Sequence, residues 1–102
     1  MAIQTFNNQG TEDIFFGRNT AKARRQVEKQ FWPQAYTMLH LLHLAARLAD
    51  LLQVPGVRIE PLKYDKPGYH SVRVTNRYRM IFMWKDGDAY DVSVEDPAYH
   101  QP

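Results

Sequence analysis

Between Arg58 and Lys85 the sequence gathers seven basic side chains, Arg58, Lys63, Lys66, Arg73, Arg77, Arg79 and Lys85, against two acidic ones, Glu60 and Asp65. Set into strands, that density of cation makes an anion-binding surface on a rigid support. Arg79 draws most attention. Its neighbours Tyr78, Met80, Ile81 and Phe82 are apolar, and a charge inside such a strand is costly unless it is paired or opens onto solvent. A guanidinium stays charged at every relevant pH and its planar fork matches phosphate oxygens. The chemistry on offer is therefore capture of a phosphate. The structural alternative is a buried ion pair to Glu95 or Asp91 on the adjacent strand.

The other reactive types are sparse. There is no cysteine, which excludes a thiolate nucleophile, a disulfide framework and a cysteine zinc site. His40 and His43 stand three apart and are expected on a solvated helix face, with no third metal ligand in sight. His70 lies in a strand, and His100 follows Tyr99 near the end of the chain.

A length of 102 residues predicts one domain, 1–102. Net charge is +2, but residues 86–102 carry five acids and no Lys or Arg, so a basic middle adjoins an acidic end. No signal peptide is visible, and no run approaches the roughly 18 apolar residues of a membrane span. The expected setting is a reducing cytosol, without membrane contact.

The elements that must position these groups follow from periodicity. Residues 2–6 alternate and read as an opening strand. Asn7-Asn8-Gln9-Gly10 reads as a turn. Thr11 reads as a helix cap, with Glu12 and Asp13 at the positive helix end. Thr20 caps a second helix over 21–31. Pro33 opens a third, in which Ala35, Met38 or Leu39, Leu42, Ala45 or Ala46, Ala49 and Leu52 recur at steps of three and four. Val54-Pro55-Gly56 ends it.

From Val57 the period changes to two. Strands are predicted over 57–61, 69–75, 78–84 and 89–95, the third of them central and buried on both faces. Asp86-Gly87 is a hairpin signal, and Tyr90, Val92 and Val94 are expected inward. The fold class is α+β, in two layers. An N-terminal strand and two to three helices accompany a mostly antiparallel sheet of four to five strands, the helices on one face. A three-residue turn over 75–77 would set Arg73 opposite Arg79, whereas a two-residue turn would place them on opposite faces. The former is favoured, because two arginines against the helices would be hard to satisfy.

The ordered set Glu60-Pro61-Leu62-Lys63, Gly68-Tyr69-x-Ser71-Val72-Arg73, Tyr78-Arg79-x-x-Phe82, Asp86-Gly87-Asp88-Ala89-Tyr90, Glu95-Asp96 and Tyr99-His100 resembles the HigB-like toxins of the RelE/ParE superfamily. The resemblance covers nearly the whole chain. It implies a RelE-like fold and an endoribonuclease that cleaves mRNA in the ribosomal A site. The chemistry implied is metal-free and needs no cofactor: the substrate's 2′-hydroxyl attacks the adjacent phosphate. Arg79 then matches the arginine that stabilises transition-state charge, Lys63 a basic residue near the phosphate, and Asp96, Tyr99 and His100 the terminal Asp-Tyr-His set. Glu60 stands where some relatives have His and could serve as the base. Pro97-Ala98 separates Asp96 from Tyr99-His100, which relatives often join directly. Arg58, Lys66, Arg73 and Arg77 would hold RNA or ribosome. The implied partners are the 70S ribosome with its mRNA and a HigA-like helix-turn-helix antitoxin, through which alone operator DNA is bound. Two alternatives of the same fold are a toxin that binds and poisons DNA gyrase, and an inactive antitoxin-binding member.

Overall fold

Two short helices open the chain, and their packing explains residues that look like turn signals. The computed structural model describes residues 2–61 and 67–96. Helix α1 (Gln9–Phe15) is capped by Asn8, whose Oδ1 accepts from the Thr11 N–H at 2.8 Å. Thr11, the expected cap, is instead fully buried inside the helix, and its Oγ1 accepts from the Val94 N–H at 3.1 Å. Helix α2 (Ala21–Gln26) is capped by Thr20 as expected. It stops early because buried Val27 is extended, and a 3₁₀ turn follows at Lys29–Phe31.

Gly10 is a packing residue rather than a turn residue. A Cβ there would lie 2.7 Å from both the Gln26 Cβ and the Lys22 carbonyl oxygen, so only glycine lets α1 and α2 approach this closely. Gly10→Ala is expected to cost about 1–3 kcal/mol by overpacking, seen as a lower Tm in a thermal melt.

Helix α3 (Trp32–Leu44) carries Pro33 in its first turn. The predicted continuation to Leu52 fails. Ala45 turns extended, and residues 48–53 form a separate 3₁₀ turn. The Asp50 carboxylate explains the break: its Oδ2 accepts from the Ala46 and Arg47 N–H groups, each at 3.0 Å. Those donors would otherwise have served a continuous helix. The apolar period survives the break, since Leu51 is buried like Leu39 and Leu42.

Four antiparallel strands follow in the order β1 (Ile59–Pro61), β2 (Tyr69–Arg73), β3 (Arg79–Lys85), β4 (Asp88–Glu95). Asp86 (φ 53°) and Gly87 (φ 83°) make the predicted hairpin turn. Instead of a full opening strand, residues 2–7 run parallel to β4 through isolated bridges at Ile3 and Phe6. Val72, Met80, Phe82, Ala89, Val92 and Val94 face the helices and are fully buried with Ala35, Leu39 and Leu42. Strand β3 is not buried on both faces: Met80 and Phe82 are buried, while Arg79, Ile81 and Met83 are half-buried. A bulge also corrects β4. Asp91 adopts φ 53°, and the β3 pairing shifts between Ile81 and Met83. The extra residue reverses the alternation, so Tyr90 leaves the core side and Ala89 joins it.

The two histidines of α3 are not on a solvated face. His40 stacks on Phe15, centroids 4.3 Å apart, and its Nε2 lies 3.0 Å from the Phe15 carbonyl oxygen. His43 Nδ1 accepts from the Ile3 N–H at 3.4 Å. Burial above all holds the His43 pKa below its usual 6.5. Burial does the same at His70, whose Nδ1 is enclosed without a hydrogen-bond partner among the described residues. Groups with a depressed imidazole pKa bind fewer protons folded than unfolded below 6.5. The stability they contribute is full above that pH and is lost as pH falls below it. Tm should therefore drop between pH 7.5 and 5.5, and His43→Gln should flatten the slope.

Candidate active site

Register decides which side chains meet. Arg73 of β2 pairs with Arg79 of β3, and Arg79 pairs in turn with Glu95 of β4. One step along, Glu60 of β1 pairs with Ser71, Ser71 with Ile81, and Ile81 with Ser93. Directly opposed residues project from the same side of a sheet. Both rows therefore lie on the face turned away from the helices, and the arrangement favoured from the turn over 75–77 is the one found.

Arg79 is held there by a light grip. Its Nη1 donates to Ser71 Oγ at 3.2 Å, and its one carboxylate contact among the described residues is Glu60 Oε2, at 3.9 Å. The Arg79 side chain is 35% exposed and Glu60 58%. The expected alternative partner Asp91 is engaged elsewhere, accepting from the Tyr69 hydroxyl at 2.5 Å. Arg73 is exposed and donates to Asn76 Oδ1. Arg58 is exposed just before β1.

Arg77, two residues away, has the opposite fate. Its Nε donates to Asp96 Oδ2 at 2.7 Å and its Nη1 lies 3.0 Å from Glu28 Oε1. Those two carboxylates push the guanidinium pKa further up, Asp96 contributing most. Arg77 and buried Asp96 thus tie the start of β3 and the end of β4 to the segment after α2, beside a cleft of about 500 Å³ also lined by Arg24 and Arg25. What this arrangement offers chemically is one immobilised arginine locked in ion pairs and one left open, with a carboxylate at its side.

Residues 4–98 match the family described as the RelE-like toxin of the type II toxin–antitoxin system HigB. The chain belongs to the HigB-like toxins. Among curated relatives it is 32% identical over 78 residues to the toxin HigB-1 of Vibrio cholerae, 76% of this chain and 82% of that one. It is 42% identical over 43 residues to the endoribonuclease HigB of Proteus vulgaris, 42% of this chain and 45% of that one. Membership in a type II toxin family implies an antitoxin partner. No helix among the described residues is long and apolar enough to cross a membrane.

For a HigB-like toxin, Arg79, Glu60 and Arg73 stand together on one face, and Arg77 with Asp96 forms a separate pair. Lys63, Lys66, Tyr99 and His100 lie outside the described residues. Sequence reasoning overlooked Ser71 and Glu28. Ser71 carried a usable signal: it is a small polar residue two positions from Arg73, hence on its face. Glu28 carried none, because its partner lies on a different element.

Proposed function

We propose that this toxin is a ribosome-dependent endoribonuclease that cuts mRNA in the A site, using the substrate's own 2′-hydroxyl as the nucleophile. The 2′-oxygen forms a bond to the adjacent phosphorus as the bond to the leaving 5′-oxygen breaks. One proton leaves the 2′-hydroxyl for a base, and the leaving 5′-oxygen takes one from the His100 imidazolium. The products are a 2′,3′-cyclic phosphate and a 5′-hydroxyl end. Arg79 binds the phosphate and stabilises the charge that builds on it. Glu60 serves as the base. Arg73 and Arg58 hold neighbouring phosphates, Lys63 adds its charge to that of Arg79 at the reacting phosphate, and Lys66 and Tyr99 complete the RNA contacts. A HigA-like helix-turn-helix antitoxin neutralises the toxin.

The observation that carries this reading is the state of Arg79. Its charge is fixed on a strand yet not cancelled by a close carboxylate among the described residues, which is what a phosphate clamp requires. The name of the Proteus vulgaris relative supports the reaction class.

Induction of the chain in bacteria, followed by primer extension on translated messages, tests the reading. New 5′ ends within coding regions are expected, and coexpressed antitoxin should abolish them. Purified toxin should cut free RNA far more slowly than ribosome-bound mRNA, because the ribosome supplies much of the alignment. Growth arrest with intact mRNA and a DNA-damage response would overturn the reading in favour of gyrase poisoning. Absence of toxicity would favour an inactive member.

A further inference from the structure

We infer that Ser71 is a positioning residue that holds the Arg79 guanidinium without neutralising it, an inference that rests on the proposed cleavage reaction. Ser71 is diagonal to Arg79 across the β2–β3 ladder, because its direct partner is Ile81. A long side chain spans that diagonal easily. The Ser71 hydroxyl is enclosed, with the residue 2% exposed, and accepts from Arg79 Nη1 at 3.2 Å. Water therefore competes poorly for this contact.

The choice of residue type matters. A guanidinium has five N–H donors, and the Ser71 contact uses one on Nη1, leaving the rest of the fork for a phosphate. A hydroxyl carries no charge, so the cation keeps its full attraction for an anion. Arg77 shows what carboxylates do at the same end of the sheet: Asp96 and Glu28 clamp it at 2.7 and 3.0 Å, and its charge is spent. Glu60, at 3.9 Å from Arg79, is too distant to play that part. Ser71 thus supplies fixed geometry, and the absence of charge on it preserves function.

A double-mutant cycle on the whole toxin tests this. Single-turnover cleavage of ribosome-bound mRNA is measured for the wild type, Ser71→Ala, Arg79→Ala and the double variant. Ser71→Ala should slow cleavage about tenfold, the rate equivalent of one hydrogen bond of ~1.4 kcal/mol, with ribosome affinity unchanged. In the Arg79→Ala background it should cost nothing further. An unchanged rate for Ser71→Ala, or an equal loss in both backgrounds, overturns the inference. A second arm needs no activity. Side-chain NMR should show hindered rotation of the Arg79 guanidinium in the wild type and averaging in Ser71→Ala, and identical spectra would overturn the inference. If the wild type fails to cleave, the proposed reaction falls, while the NMR arm still decides whether Ser71 holds Arg79.

Discussion

Arg79→Ala should lower the rate of ribosome-dependent mRNA cleavage by about 10²–10³-fold, the usual loss when one preorganised stabiliser of developing charge is removed. Growth inhibition on induction should disappear with it. The fold should survive, because Arg79 is only half-buried and its closest carboxylate among the described residues is 3.9 Å away, so no close ion pair among them is broken. Arg79→Lys should fall between, since it keeps the charge and loses the planar fork. The contrast with Arg77→Ala is the sharper test. That change strips Asp96, 8% exposed, of a 2.7 Å partner, so it should lower Tm more than Arg79→Ala does and slow cleavage less. Rate assays and melts on the two variants, run side by side, check both halves. If Arg77→Ala slows cleavage as strongly as Arg79→Ala, the assignment of the clamp to Arg79 alone is wrong.

Glu60→Gln should slow cleavage by about 10²–10⁴-fold, the contribution of a positioned general base. Glutamine keeps the size and hydrogen-bonding capacity of the side chain but cannot take the proton of the 2′-hydroxyl. Ribosome binding should persist. The pH–rate profile also tests whether the His100 imidazole, rather than Glu60, takes that proton. An imidazole base imposes a rising limb centred near pH 6.5, whereas a carboxylate base adds no rising limb from pH 6 to 8. A profile that rises through 6.5 and is lost in His100→Gln would transfer the role to the histidine.

Much of the scaffold can be read from one dimension. Alternation over 69–75 and 89–95 and an apolar run over 78–84 mark the strands, and Asp86-Gly87 marks the hairpin because both residues tolerate the positive φ found there. Thr20 announces α2 through its side chain's hydrogen bond to the first turn. Other features defeat a local reading for definite reasons. Leu39, Leu42 and Leu51 keep one apolar period through the end of α3, so the Asp50 hydrogen bonds that break the helix leave no trace in the pattern. Tyr90, Val92 and Val94 alternate without a flaw, yet one bulged residue at Asp91 moves Tyr90 to the other face.

The site divides in the same way. Composition and spacing by themselves placed a cluster of arginines on a sheet and singled out Arg79 as a charge needing an outlet. They also placed Arg73 beside it, through the length of one turn. What separates Arg79 from Arg77 is not written near either residue. They stand two residues apart, Arg77 just before β3 and Arg79 at its start. Arg77 meets Glu28 from the segment after α2 and Asp96 from the end of β4, whereas Arg79 meets the hydroxyl of Ser71. Charge is a property of the residue type, but whether it is cancelled depends on partners brought within about 3 Å by the fold, and only the tertiary structure sets those distances.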